Sequence, residues 1–455
     1  MHARRQPFDP TRDAPEGGEG ERPEHEDGNR ANAGALALQG RQGHIRQAED
    51  GKKVRAIVDP GRVQSGGAQR RQDGQFKQGE PRRPLAFVAA EGLFARAERQ
   101  IALLARVRPQ NLGAECAAWA AALRRGTHGR PAWRYAPAGE LGGLRRELAS
   151  AVRSLAGLGA LGQLYERRAE ELELEAMLAE QVDTPSFGRT ARLRHPVRRG
   201  PEHDRANELA AAWATLCVAA SPGACPTSDD PRHPDSLINL LAREIALLGV
   251  PIRVVVQREM QSKAACGDGV IFVRAGLPLL PSEARRIVAH ELHGHALPRV
   301  LARSHPFGLL RVGSAGANDD EEGRALHIEE HLGLLHDGRR RELGWRHLAG
   351  LWVATGADGH ECIERLRQFG CGIEDAIALY ARVQRGGGLC RELEYIPAWL
   401  RFARALHEDA PLAAWLARGR VSLAAARVLR SEGVPPGDDR ATILDLSVAS
   451  DRATG

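Results

Sequence analysis

The sequence predicts an α+β fold, mostly helical, with a small β-sheet set immediately before one helix of unusual composition. Three observations carry this. From Leu85 to Val182 apolar residues recur at three- and four-residue intervals, as in Ala97 to Val107 and from Leu141 onward, the period of amphipathic helices. Two β-branched runs, Pro251 to Gln257 and Gly269 to Gly276, flank the turn residues Gly267-Asp268-Gly269. Beyond Ser282 the pattern returns to helix, broken only by Gly- and Asp-rich turns.

Each element follows from local chemistry. Residues 1–84 carry two Phe and no sustained period, so they bury too little apolar area to offset the entropy of ordering, and a disordered segment is expected. The natural start is expected downstream of it; N-terminal sequencing of the endogenous protein that finds Met1 would overturn this. Residues 85–250 read as a helical scaffold, with a further helix through Pro201 to Val218 and a Pro/Asp/Ser loop from Ser221 to Pro234. Asp235-Ser236 can cap the helix Leu237 to Leu248. The basic run Arg189 to Arg199, interrupted by Pro196, reads as a solvated surface strand or loop. The two β-branched runs are expected to pair with each other in antiparallel fashion. Ser282 is a good N-cap for a helix to about Leu297, where Pro298 should end or kink it. Residues 251–434 then form the chemical core with its C-terminal helices, and residues 435–455 a flexible tail.

Composition narrows the function classes. The chain has 455 residues with 64 Lys+Arg and 58 Asp+Glu, so 64 − 58 = +6. Residues 1–84 hold 16 basic and 13 acidic residues, which leaves 48 − 45 = +3 on the remainder. Aromatic residues make up only 4%, leaving few platforms for stacking bases, and no nucleic-acid motif is present. No stretch reaches the roughly 18 apolar residues of a membrane span, so a cytoplasmic protein with no nucleic-acid or membrane partner is expected. The seven Cys form no CxxC pair and read as reduced, mostly buried thiols.

The informative chemistry lies in Ala289-His290-Glu291-Leu292-His293-Gly294-His295. Three imidazoles around one carboxylate are costly to bury without a partner, and a metal ion is the obvious one. Two pairs remain open. His290 with His293 (i, i+3) suits an undistorted helix, whereas His290 with His295 (i, i+5) diverges by about 140° at about 100° per residue and needs a π-bulge, which Gly294 would ease. Downstream, Asn318-Asp319-Asp320-Glu321-Glu322-Gly323-Arg324-Ala325 opens a second helix. Capping and the helix dipole alone can explain its acids, but paired with the His-rich helix it offers a carboxylate ligand. Two His and one Glu leave a coordination position open for water, the catalytic rather than the structural zinc pattern. The same helix contains His327-Ile328-Glu329-Glu330-His331, which matches the inverted HxxEH signature through His327, Glu330 and His331.

These residues resemble the zinc metallopeptidases related to the microtubule-associated tyrosine carboxypeptidase, whose bacterial members include flavohaemoglobin expression-modulating QEGLA-motif proteins. That family carries HExxxH followed by Gln-Glu-Gly-Leu-Ala. Here His290 to His295 is a full HExxxH, and Glu321-Glu322-Gly323-Arg324-Ala325 stands in place of the second motif, with Glu321 for Gln and Arg324 for Leu. Gly267-Asp268-Gly269, and Gly386-Gly387-Gly388 followed by Arg391 and Tyr395, extend the likeness, which runs from about Ala97 to about Leu429. The resemblance implies a mostly helical, zincin-like metallopeptidase domain, with Zn²⁺ held by His290, His295 and Glu322. Glu291 would then be the general base, Tyr395 a second electrophile for the oxyanion and Arg391 the cation for a substrate's terminal carboxylate. The strand Gly269 to Arg274 would bind an extended peptide by edge pairing. A carboxypeptidase acting on a peptide or protein C-terminus is the expectation. The alternatives are a non-catalytic regulatory protein that keeps a structural metal, or the inverted site.

Overall fold

In the computed structural model of the chain, the described residues are 84–437 apart from 138, 219–224, 259 and 261. The expectations for residues 1–83 and for the tail beyond 437 lie outside the described residues.

The apolar spacing from Leu85 onward closes as three long helices. Helix α1 (Leu85–Ile101) stops where Ala102 turns left-handed at φ 40°. Helices α2 (Gly142–Leu155) and α3 (Gly159–Glu180) are joined through Gly157 and Gly159, both at positive φ, which only glycine adopts without strain. Phe87, Phe94, Leu148, Tyr165 and Leu172 from these helices share one core, with Phe87 stacked on Tyr165 at 4.5 Å. Leu423, Ala425, Ala426 and Leu429, near the C-terminal end of the described residues, join this core.

The basic run divides: Pro196 to Arg199 is a largely exposed loop, as expected, but the first half is helical. Phe187–Arg194 is a helix, α4, and the half-buried Arg194 pairs with Glu171 and Glu175 of α3 and with Asp319. Its charge is matched by acids distant in sequence, which local charge counting does not reveal. Helix α5 (Pro201–Ala214) starts with Pro at its first turn, and α6 (Leu237–Leu248) follows Ser236 in extended geometry at the N-cap.

The sheet differs from the expected hairpin. Strands β1 (Arg253–Gln257), β2 (Ala264–Gly267) and β3 (Val270–Arg274) lie in the order β1-β3-β2. The two β-branched strands run parallel, Arg253 opposite Val270, and the antiparallel partner of β3 is the Ala-Ala-Cys-Gly segment of β2. Asp268-Gly269 makes the β2–β3 turn, with Gly269 at φ 70°. Because β3 is central, both its edges are paired and it cannot take a peptide by edge addition; β2 is an edge strand and packs against the helical segment that carries His290.

Helix α7 (Pro281–Val288) begins one residue before Ser282, with Leu280 as N-cap and Pro281 in the first turn, where its missing N–H costs nothing. A π-helical segment, Ala289–Ala296, continues it, and an α-helical turn, Leu297–Leu301, follows. Pro298 does not end the helix, because it falls where the π segment has already displaced the i→i−4 ladder. Helices α8 (Ala317–His331), α9 (Asp337–Ala354), α10 (Ile373–Val383), α11 (Tyr395–Glu408) and α12 (Leu423–Ser431) complete the labelled elements.

The site segment is set between cores. Leu292 and Ala296 pack into the cluster beneath the sheet, Ala289 into the α1–α3 core, and α8 sends Leu326 into a third cluster with α5 and α9. None of the seven Cys forms a disulfide; Cys362, Cys371 and Cys390 are buried, three are half-buried and Cys217 is exposed, so fewer are interior than composition suggests. No helix among the described residues is long and apolar enough to cross a membrane.

Candidate metal centre

The π segment resolves which imidazoles meet. The Leu297 amide bonds to the Leu292 carbonyl, an i→i−5 step that brings residues five apart onto one line. His290 Nε2 and His295 Nε2 therefore face each other at 3.3 Å. Glu322 from α8 completes the group, its Oε2 3.5 Å from His290 Nε2 and 3.8 Å from His295 Nε2. All three residues are buried. A tetrahedral ion with bonds of about 2.0–2.1 Å separates its donor atoms by about 3.3 Å, so this triangle has nearly the size a zinc ion demands. His293 turns the other way, its Nε2 3.2 Å from Glu244 Oε1 on α6.

Behind these three side chains stands a layer of buried charge. His290 Nδ1 lies 2.7 Å from Glu329 Oε1, so Nδ1–H donates to the carboxylate and Nε2 keeps its lone pair for an ion. Glu329 is fully buried and also accepts from Arg286 (2.9 Å) and Arg339 (3.1 Å). Burial opposes its ionisation, but the two guanidiniums hold its carboxyl well below the usual range. Burial likewise opposes charge on His290, and the carboxylates of Glu322 and Glu329 reverse this, raising the imidazole to about 9. Glu322 is held well below its ordinary value against burial, chiefly by His295 and Arg391. An anionic Glu322 is the form a cation requires.

The acids at the start of α8 each have a separate partner rather than serving as caps. Asp319 accepts from Arg194 (2.7 Å), Asp320 from Arg401 (3.1 Å) and the Leu423 amide (2.8 Å), and Glu321 from Arg299 (2.7 Å). Arg324, one of the two departures from the family's second motif, is buried and donates to the Gly294 carbonyl at 2.9 and 2.7 Å and to the Leu416 carbonyl. It also lies 3.7 Å from Glu321, the other departure.

Two glycines let the helices approach. A Cβ on Gly294 would stand 2.6 Å from Ala325 Cβ, and one on Gly323 2.4 Å from the Ala398 carbonyl of α11. Gly294 therefore serves the contact between the π segment and α8.

Of the remaining predicted residues, Arg391 contacts this centre directly. Glu291 is half-buried, and no described side chain is hydrogen-bonded to its carboxylate. Tyr395 is buried, and its hydroxyl accepts from Arg382 at 3.2 Å. Arg391 donates to Glu322 Oε1 at 3.0 Å, with its guanidinium 5.9 Å from the Tyr395 ring centroid. The inverted motif is not assembled: Glu330 is exposed and accepts from Trp399 Nε1, His327 packs against Phe402, and His331 joins neither in a ligand cluster among the described residues. Those clusters are His290/His295/Glu322 and His195/Asp319/Glu394.

Sequence reasoning missed Glu329, Arg286, Arg339 and Arg382. For Glu329 a signal existed, since 329 − 322 = 7 puts it two turns along the same face of α8 as Glu322. The arginines carried none: Arg286 and Arg339 have acids in reach on their own helices, Glu283 and Glu342, but the carboxylate they share, Glu329, lies on another element, as does Tyr395, the partner of Arg382.

With this geometry in place, the comparison with known families is decisive for membership. The family described as "Microtubule-associated tyrosine carboxypeptidase" matches residues 123–432. The chain belongs to that family. The match covers His290, His295, Glu322, Arg391 and Tyr395, and it makes the protein a member of a carboxypeptidase family. No curated protein matches. A solved structure described as "the putative lipoprotein from Colwellia psychrerythraea" is 14% identical over 79% of this chain and 74% of that one, with a TM-score of 0.36, too slight a likeness to carry an argument.

Proposed function

We propose that this member of the tyrosine carboxypeptidase family is a zinc-dependent carboxypeptidase that removes one C-terminal residue from a peptide or protein. The observation that carries the reading is the buried triangle of His290, His295 and Glu322 at 3.3–3.8 Å, with Glu291 beside it and engaged by no described side chain. Two imidazoles and a carboxylate are the donor set of a zinc site that keeps a position open. Zinc held there would polarise a scissile carbonyl and lower the pKa of a water towards about 7.

The chain's own residues supply the rest. Glu291 takes the proton from the attacking water and passes it to the departing amine. The Tyr395 hydroxyl, oriented by Arg382, donates to the developing oxyanion. Arg391 already holds a carboxylate oxygen, Glu322 Oε1, and its five donors leave room for a substrate's terminal carboxylate alongside. An extended peptide would lie along β2, the edge strand against the π segment. The family's description points to tyrosine as the residue released.

A library of peptides differing at the C-terminus, incubated with wild type and with Glu291→Ala and read by mass spectrometry, tests the proposal alongside metal analysis. Wild type should shorten peptides by one residue, and Glu291→Ala should bind zinc but cleave nothing. Absence of stoichiometric zinc, or equal cleavage by both, sinks the reading. Zinc retained without cleavage by either favours the regulatory protein with a structural metal.

A further inference from the structure

A second buried group of metal-ligating side chains lies outside the machinery just described. His195, the C-cap of α4, Asp319 from the first turn of α8, and Glu394, the last residue of the short 3₁₀ turn Arg391–Glu394, each present one ligand atom within 4.8 Å of the other two. All three are buried, His195 being only 3% exposed. They share no residue with His290, His295 and Glu322.

Their hydrogen bonding is incomplete in a particular direction. His195 Nδ1 has no hydrogen-bond partner; it stands 3.7 Å from Glu394 Oε1, too far for a hydrogen bond. Asp319 accepts from Arg194 through Oδ2 at 2.7 Å, while its buried Oδ1 has no partner. Two carboxylates and an imidazole thus converge, and the imidazole and one carboxylate each keep a buried atom without a partner, which is costly unless something accepts its lone pair.

The cations nearby are already taken. Arg194 is shared by Asp319, Glu171 and Glu175, Arg401 by Asp320 and Glu202, and Arg391 is held by Glu322. Glu394 has no guanidinium within ion-pair distance among the described residues, so the site keeps a negative charge. It also has access, because Glu394 borders a small cavity lined with Pro196, His203, Asn207 and His347 that could admit waters to complete a coordination shell.

From this we infer a second divalent-cation site, built from His195, Asp319 and Glu394, which ties α4 to α8 and to the segment carrying Arg391 and Tyr395. One imidazole with two carboxylates is a donor set for Zn²⁺ or Mn²⁺. No carboxylate bridges it to the first centre, so it is a separate site rather than half of a two-metal one.

Metal content decides the matter. The full chain is stripped with chelator, dialysed against Zn²⁺ and, separately, Mn²⁺, and analysed by mass spectrometry for bound metal. Wild type should hold two equivalents of at least one of these ions. Glu394→Gln and His195→Ala should each hold one, and His295→Ala should lose the other while keeping this one. Circular dichroism confirms that each variant is folded, and the nearly isosteric Glu394→Gln serves if His195→Ala is not. A single equivalent in wild type that His295→Ala abolishes and Glu394→Gln spares overturns the inference, as does a second equivalent that survives both substitutions here, or no binding at all. An equivalent lost with Glu394→Gln but not with His295→Ala would support this site while refuting the zinc centre proposed above.

Discussion

His290 and His295 sit on one π-helical segment and face one another, yet the carboxylates behind them are placed differently. Glu329 Oε1 is 2.7 Å from His290 Nδ1, whereas Glu321 Oε2 is 3.8 Å from His295 Nδ1, which has no hydrogen-bond partner. The first arm is a chain of contacts running from Lys263 through Glu283, Arg286 and Glu329 to the imidazole. In the second, Glu321 is committed to Arg299 and to the neighbouring Arg324 and Arg420, and reaches the imidazole only through space. A buried carboxylate in hydrogen-bond contact fixes a ligand's tautomer and angle; one held back by other cations supplies charge without orientation. His290 is thus set before any ion arrives, and His295 can adjust.

The largest effect is expected from breaking the tight arm. Glu329→Gln weakens orientation of His290 and leaves Arg286 and Arg339 without their buried anion. Zinc affinity should fall roughly 10–100-fold, and stability by about 3–5 kcal/mol. Glu321→Gln should also destabilise, because Arg299 loses its partner, but should cost less than about tenfold in zinc affinity, outside the range expected for a hydrogen-bonded carboxylate. Chelator competition and urea denaturation of both variants measure this; equal losses of affinity would erase the distinction between the arms.

Next in size is the contact that brings both arms together. Gly294→Ala forces a methyl to within 2.6 Å of Ala325 Cβ. Overpacking of this kind costs about 1–3 kcal/mol, and by separating the π segment from α8 it should weaken zinc binding as well. A variant with unchanged melting and affinity would show that the helices can part without consequence.

Acid should loosen the His290 arm at its outer link. Burial opposes ionisation of Glu283, but hydrogen bonds and charge from Arg286 and Lys263 lower its carboxyl to about 2. An unfolded Glu titrates near about 4.3. The stabilisation is therefore complete above that pH and is lost as pH falls towards about 2, where the folded group finally protonates. Denaturation midpoints between pH 5 and 2.5 should drop for wild type and drop less steeply for Glu283→Gln. Parallel curves would mean that Glu283 contributes nothing to the arm.

The same contrast explains what was legible in the sequence. HExxxH could be read as two ligands five apart only on condition of a π distortion, and Ala289–Ala296 is that distortion. The carboxylate of Glu322 was legible because a motif surrounds it, and Glu329 was within reach by helical period. The arginines were not, because Arg194, Arg286 and Arg339 read locally as surface charge, and the buried acids that draw them in, Asp319 and Glu329, lie on another element. In the sheet, β1 and β3 were visible from their β-branched residues, but the parallel pairing was not, since β2 is Ala-Ala-Cys-Gly with no β-branched residue.

The smallest effect sharpens the loose arm. Glu321 and Arg324 are the two departures from Gln-Glu-Gly-Leu-Ala, and they lie 3.7 Å apart in the buried interior. Burial, joined by the nearby charge of Arg299, lowers the Arg324 guanidinium to about 10 even though Glu321 works against it. Arg324 also holds the Gly294 carbonyl, so one substitution links the second motif to the π segment and the other supplies its counter-charge. Restoring either residue alone leaves a buried charge short of a partner, whereas Glu321→Gln with Arg324→Leu removes both charges of the pair. The double variant should therefore be less destabilised than the sum of the singles by about 1 kcal/mol. Additivity within about 0.3–0.5 kcal/mol in a double-mutant cycle would show instead that the two changes are independent, with Arg299 as the only partner that Glu321 needs.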